Sequence, residues 1–500
     1  MPSSANVFLN LNDTFADTPV RMAIYRREFV LNIGFLLLAN LLIKPFYVLF
    51  IERDFQNQAG NEAWGLYFTL FSLSMIPQIL LDLGMTVYVN QKISSDRSAA
   101  LEIWKNTAWL RPFFALAFLV LYFLLAGNSM RSQPFLILGI AINQILLAGI
   151  LYLRAFVSGL GHYRLDSLFS VADKLIFILL ALFIFPAFEG QPVFIFLSIQ
   201  FYSLVIPLVT GLFWFWFKTK PGLRMGTLPA AIGILRQCFP YAMIFILMVL
   251  FSRMEPVWLN GLRNDGAQQS GIYAAAYRLL DAANMLGFLF AGILMPMFAH
   301  ATGQKLWEQR QSLFDLAWKL MIVLASLIAM PLAFQHRYIM QALYTDPAED
   351  ILHLTILNLV PLTINYLLST LLTAVKEAGA MNRLFLISIC INAAGHLLVT
   401  RSYGAAGAAG VALVTQTITA FLLAGLIHLR KIIRFQWKHF GLMVLVLGMA
   451  VLTGTGVLYS GLPAPAAIPV HVLALLILVF SSNLLPLAQV FRLVFKPGVD

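Results

Sequence analysis

The sequence predicts an all-α polytopic membrane protein of fourteen transmembrane helices. Composition predicts it first: 60% of the 500 residues are hydrophobic and only 11% are charged, where a soluble domain carries about a quarter charged residues. Mean hydropathy is +0.83. Long apolar runs separated by short polar breaks predict it second, since roughly 20 residues of helix cross a hydrocarbon core. The missing alternation of a membrane β-barrel is the third observation, and helices satisfy their own backbone hydrogen bonds in lipid.

The runs lie at about 30–51, 64–90, 108–126, 134–157, 168–187, 193–217, 239–260, 271–299, 316–334, 351–373, 384–400, 405–428, 440–460 and 467–487. They are spans 1 to 14 below. Residues 1–29 form a polar segment with Arg21, Arg26 and Arg27 ahead of span 1. That segment lacks the short apolar region and small-residue site of a cleaved signal, so span 1 is expected to stay.

Basic residues then orient the chain. Lys92, Arg97, Lys105, Arg164, Lys218, Lys220, Arg224, Arg236, Lys305, Arg310, Arg430, Lys431, Arg434 and Lys438 share one side, and only Arg53, Arg131, Arg263, Arg337 and Arg401 fall on the other. Basic loops stay cytoplasmic. Both termini are therefore expected in the cytoplasm, and the net charge of +11 requires no nucleic acid. Cys238 and Cys390 suggest neither a disulfide nor a metal site, and His300 and His396 lack metal-ligand spacing. The breaks near 91–107, 218–238 and 335–350 are too short for a soluble catalytic domain, so no enzyme and no cofactor are expected.

Cations such as Arg111, Arg154, Lys174 and Lys319 count with the cytoplasmic ends, whereas six charges are read as lying inside the membrane: Lys44, Arg253 and Arg278, with Asp82, Glu255 and Asp281. Each would cost about 2.5–3.5 kcal/mol facing lipid, so they should face an interior or a watery cavity. Lys44 has no acid within a turn; it needs a partner such as Asp82, or an anionic ligand. Arg253 and Glu255 are two apart and face different sides, whereas Arg278 and Asp281 are three apart and can pair. Asp82 reads equally as a protonatable coupling group or as a carboxylate bonded to a cation. Amides at the same depth, among them Asn143, Gln144, Gln200, Asn284, Asn365 and Gln416, either line a sugar-accommodating cavity or join helices.

An internal repeat organises the spans. Trp64-Gly65-Leu66-Tyr67 opens span 2 and Ser270-Gly271-Ile272-Tyr273 opens span 8. Lys44-Pro45 in span 1 is echoed by Arg253 and Pro256 in span 7. Two parallel six-helix lobes follow, residues 30–217 and 239–428, joined by a cytoplasmic linker at 218–238. Spans 13 and 14 and a cytoplasmic tail fill 429–500. A parallel repeat places a site between its halves and suits alternating access.

In this order and spacing the chain resembles the polysaccharide (Wzx-type) flippase branch of the MOP superfamily. The resemblance is carried by Gln58-Ala59-Gly60 through Tyr67, Leu81-Asp82-Leu83-Gly84, Ser158-Gly159-Leu160-Gly161-His162-Tyr163, Leu294-Met295-Pro296, Leu372-Thr373-Ala374 and Tyr403-Gly404 through Ala409. It implies lobes set in a V and export of a polyprenyl-diphosphate-linked oligosaccharide to the outer leaflet of a bacterial inner membrane, for O-antigen or other lipopolysaccharide-type surface polysaccharide. It implies Lys44, Arg253 and Arg278 as diphosphate contacts, and it departs in span 2, where the charge is the acidic Asp82. The implied partners are the lipid-linked oligosaccharide, membrane lipids, a polysaccharide polymerase and glycosyltransferases. Coupling to H+, to Na+ or to the membrane potential is left open, and a monomer is expected.

Two alternatives remain at this stage. A multidrug and toxin extrusion (MATE) exporter shares the fold but normally needs an acid where span 1 offers Lys44. An outward-facing enzyme could use Glu52-Arg53-Asp54 in the first external connection as a metal or base site.

Overall fold

The computed structural model describes residues 40, 42–127, 132–184, 190–220, 226–346, 351–482 and 484. The N-terminal segment, the start of span 1, Arg131, Arg224, the middle of the linker and the tail from 485 lie outside them.

The first half opens with a π-helical turn, Tyr47–Glu52, which runs into α1 (Arg53–Ser74) and continues through α2 (Ile79–Asp82), α3 (Met85–Ser95), α4 (Ala99–Thr107), α5 (Arg111–Ala126), α6 (Pro134–Gly159), α7 (Tyr163–Ile184) and α8 (Pro192–Thr219). The second half comprises α9 (Leu228–Ser252), α10 (Glu255–Leu262), α11 (Gly266–Gly303), α12 (Trp307–Phe334), α13 (His336–Leu343), α14 (Ile351–Leu357), α15 (Leu359–Ala374), α16 (Ala378–Gly395) and α17 (Arg401–Leu429). Two further helices follow, α18 (Trp437–Tyr459) and α19 (Ala464–Ser481). Proline opens α6 and α8, where a missing N–H has no helical partner to lose.

Among the described residues ten helices are long and apolar enough to cross a membrane, and the bent pair Leu42–Ser74 and Ile79–Ser95 makes an eleventh. This is a multi-pass membrane protein. Two glycines divide what would otherwise be continuous helices. Gly60 has φ 76° and ψ 164° within α1, and Gly404 has φ 56° and ψ −136° within α17. Only a residue without Cβ takes such angles freely, so each helix is kinked there without a loop.

Three boundaries differ from expectation. Span 1 extends through Glu52 to Gly60 rather than ending at 51. Span 2 is not one helix ending at 90: it breaks at Leu83-Gly84, where φ is positive at both residues, and α3 resumes the helix to Ser95. Span 7 begins at Leu228, well inside the expected linker. The charged triplet at 52–54 resembled a loop end, yet it lies within helix.

One buried core runs through both halves, with Trp64, Tyr67, Phe177 and Phe196 in the first and Phe298, Phe314, Leu368 and Leu371 in the second. The two C-terminal helices dock on α12: Trp318 Nε1 donates to the His439 carbonyl at 2.9 Å, and His439 Nε2 meets Asp315 Oδ1 at 2.8 Å. Large apolar side chains such as Phe183, Leu398 and Leu124 stay exposed on the flanks, as a surface solvated by acyl chains requires.

Candidate functional site

The two halves meet most closely where α1, after Gly60, lies against the start of α11. Small residues let helix backbones approach within a membrane, and here the approach is extreme. A Cβ on Gly65 would sit 1.8 Å from the Ala267 carbonyl oxygen, and one on Gly271 would sit 1.9 Å from that of Asn61. Side chains fasten the same end. Gln56 Nε2 donates to the Gly271 carbonyl at 2.9 Å, and Thr69 Oγ1 to the Pro256 carbonyl at 3.3 Å. Asn57 Nδ2 donates to the Leu343 carbonyl at 2.9 Å, and Asn61 Nδ2 to Asp346 Oδ2 at 2.8 Å.

Beneath this seam lies a run of buried charge. Arg253 occupies the break between α9 and α10 and holds Asp281 of α11 through two hydrogen bonds, at 2.9 and 3.0 Å. Asp281 is also 3.7 Å from Arg278, the pairing the three-residue spacing predicts. The closer partner of Arg278, however, is Glu52 of the first half, at 2.5 Å. Both guanidiniums lie over aromatic rings, Arg253 5.2 Å from the Tyr277 centroid and Arg278 5.0 Å from that of Phe68, an arrangement that favours a desolvated cation. Glu255 is 4% exposed, and its Oε2 accepts no hydrogen bond from the described residues.

The first half continues the run with groups assigned to cytoplasmic ends by sequence. Lys174, three turns into α7, stands 4.5 Å over the Tyr47 ring and 3.4 Å from Asp173. Arg154 Nε donates to Asp166 at 2.7 Å, joining α6 to α7. The fields of Asp173, Lys174 and Arg154 act on Lys44, which makes no hydrogen bond or ion pair with a described residue. Carried across the seam, cations and acids interleave, with Lys44 and Arg154 consecutive: Arg253, Asp281, Arg278, Glu52, Lys174, Asp173, Lys44, Arg154, Asp166. Five cations face four acids before Glu255 is counted.

Two expectations are corrected. Asp82 is not the partner of Lys44: it accepts from the Thr86 N–H at 3.1 Å and from the Thr86 hydroxyl, capping α3, and stands 4.0 Å from Arg111. A carboxylate there complements the exposed N–H groups of a helix start. Glu52-Arg53-Asp54 is not an external acid pair. Glu52 is buried against Arg278 while Arg53 and Asp54 pair with each other at 2.5 Å. The membrane-depth amides join helices: Asn143 to Gln200 at 3.1 Å, Gln144 to Ser74 at 3.0 Å, and Asn365 to Gln416 at 2.8 Å.

Beyond Asp281, α11 exposes Phe288, Ile293, Met297 and His300, and within the second half a cleft of about 1180 Å³ opens between its end and the start of α12, lined by His300, Trp307, Glu308, Gln311, Asp315 and Lys319 among others.

The family described as polysaccharide biosynthesis protein matches residues 29–302, more than half of the chain. The chain belongs to this family. No curated protein sequence matches it. Among solved structures, the lipid II flippase MurJ in an inward closed conformation is 14% identical, with a TM-score of 0.63 over 94% of this chain and 99% of its own. A multidrug-resistance MATE transporter of the MOP superfamily, inward-facing, is 15% identical with a TM-score of 0.62, over 79% of this chain and 94% of its own. A MOP-superfamily transporter from Pyrococcus furiosus, described as having a binding pocket of reversed polarity, is 12% identical with a TM-score of 0.58, over 80% and 95%. The family member described here thus has the MOP-superfamily fold.

Proposed function

We propose that the protein is a flippase that moves a polyprenyl-diphosphate-linked oligosaccharide from the cytoplasmic to the outer leaflet of a bacterial inner membrane, by alternating access. The reading takes fourteen spans, two six-span lobes set in a V with spans 13 and 14 appended, both termini in the cytoplasm, and the Gly60 end facing outward. It serves surface polysaccharide assembly alongside glycosyltransferases and a polymerase. It is transport, not catalysis.

The observation that carries the reading is the charge run itself. A diphosphate leaving water loses hydration that only charge-assisted hydrogen bonds can replace. Lys44, without a partner among the described residues and half-buried beside Arg154 and Lys174, receives it. Arg253 and Arg278 complete the site when the lobes part and their acids can be exchanged for phosphate oxygens. The interleaving of cations and acids makes that exchange feasible, because Asp281 lies between two arginines and can stay with one while the other turns to phosphate.

An inside-negative potential assists outward movement of the anion by about 2.3 kcal/mol per charge per 100 mV if the charge crosses the whole field. Glu255, Asp281 and Asp82 are the carboxylates available for coupling to H+ or Na+; Glu255 fits best, since Asp281 and Asp82 already serve as an ion-pair partner and a helix cap.

Lys44→Ala and Arg253→Ala, expressed in the native host, test the proposal. Each is expected to abolish surface glycan while the protein still reaches the membrane and lipid-linked precursor accumulates inside. Normal surface glycan in both would overturn it.

A further inference from the structure

The seam at the Gly60 end is closed by main chain. We propose that Gly65 and Gly271 form a paired steric seal whose lack of side chains sets how much of the protein rests closed at that end, so that one methyl group at either position acts as a wedge.

The geometry is reciprocal. Gly65 rests on Ala267 and Gly271 rests on Asn61; adding 206 to 61 and 65 gives 267 and 271, so each glycine contacts the repeat-mate of the other's partner. Stacked rings follow in the same register, Tyr67 on Phe71 at 5.9 Å and Tyr273 on Tyr277 at 5.5 Å. The repeat is therefore preserved where the lobes touch, and its pseudo-twofold axis passes between the glycines. Neither glycine has the positive φ that would demand it for backbone reasons. What demands it is the neighbour: the Cβ of Gly65 would also lie 2.4 Å from the Gly271 nitrogen, against about 3.5 Å for ordinary carbon contact.

These obstacles are main-chain atoms, which no rotamer change moves aside. An alanine must push the helices apart by on the order of 1–2 Å, given that contact distance. Such separation lengthens the hydrogen bonds of Gln56 and Asn61 across the seam. The closed state loses free energy while a state with that end open does not, so populations shift toward it. The inference rests on the alternating-access reading, but its test involves no glycan.

The test uses protein in which Cys238 and Cys390 are replaced by Ala and Ser, with Ser72→Cys as reporter. Ser72 is 2% exposed and lies two turns inward of Gly65. A membrane-impermeant thiol reagent is added outside intact cells. Labelling is expected to be low in the parent and to rise several-fold with Gly65→Ala or Gly271→Ala. Gly292→Ala, where a Cβ meets nothing within 4 Å, is expected to leave it unchanged. Unchanged labelling in both seal variants, or an equal rise in the Gly292 control, would overturn the seal while leaving the flippase reading to its own test.

A second measurement needs no glycine variant. Asn61→Cys with Asp346→Cys, in the protein lacking Cys238 and Cys390 and replacing side chains hydrogen-bonded across the seam, should be joined readily in the membrane by a short bifunctional thiol reagent. Failure to cross-link would mean that this end does not close as described, and the seal would fall with it.

Discussion

The two halves share a scaffold and differ in chemistry. Tyr67 and Phe71 in α1 have counterparts in Tyr273 and Tyr277 of α11, and Gly65 has one in Gly271. Yet the positions of Ser72 and Met75 correspond to Arg278 and Asp281. The second half thus places its charges on the seam helix and satisfies them: Arg253 on Asp281, Arg278 on Glu52. The first half draws its charges from the helices behind, and leaves Lys44 without a described partner. Repetition built the closure, and divergence built the site; cations held in pairs can fasten lobes, whereas one left over can bind.

That contrast can be broken most forcefully at the Glu52–Arg278 pair. Removing one member of a buried pair typically costs about 3–5 kcal/mol, because the other charge is stranded. Glu52→Gln alone and Arg278→Gln alone are each expected to lower thermal stability in detergent markedly. The double variant should recover much of the loss; additive losses would show that the two do not depend on each other.

Lys174 offers a sharper and smaller test. It lies in the binding region rather than on the seam, so Lys174→Ala should reduce glycan export several-fold with little change in melting temperature. A large stability loss with unaltered export per folded molecule would reverse the assignment. The smallest effect is expected from the amides. Asn365→Leu removes an interhelical bond that averages about 0.6 kcal/mol in membranes, and export should be nearly unchanged; a complete loss would return Asn365 to the cavity.

Much of this was legible in the sequence because membrane helices announce themselves by length and hydropathy, and because Gly-x-Tyr recurs in register. The charge run was legible only in part. Arg154, Asp166, Asp173 and Lys174 lie near expected span ends, where a basic residue reads as an orienting one. α7, spanning Tyr163–Ile184, starts before the apolar run does and carries Lys174 well inside. Glu52 was hidden by its neighbours, since three consecutive charges resemble a loop. Its burial depends on Arg278, 226 positions away, which no local pattern reveals. The pairing of Arg253 with Asp281 was concealed by the helix break at Arg253-Met254, which turns a side chain that would otherwise point elsewhere toward α11.

The claim that matters most is that unbalanced positive charge around Lys44 carries a diphosphate across the membrane. It is tested most directly by reconstituting the purified protein in liposomes and following a fluorescent polyprenyl-diphosphate oligosaccharide from one leaflet to the other. The parent should translocate it, Lys44→Ala should slow it by about tenfold or more, equivalent to about 1.4 kcal/mol, and the corresponding lipid without phosphate should not move faster than in empty liposomes. Equal rates for parent and Lys44→Ala, or equal transport of the phosphate-free lipid, would contradict the account.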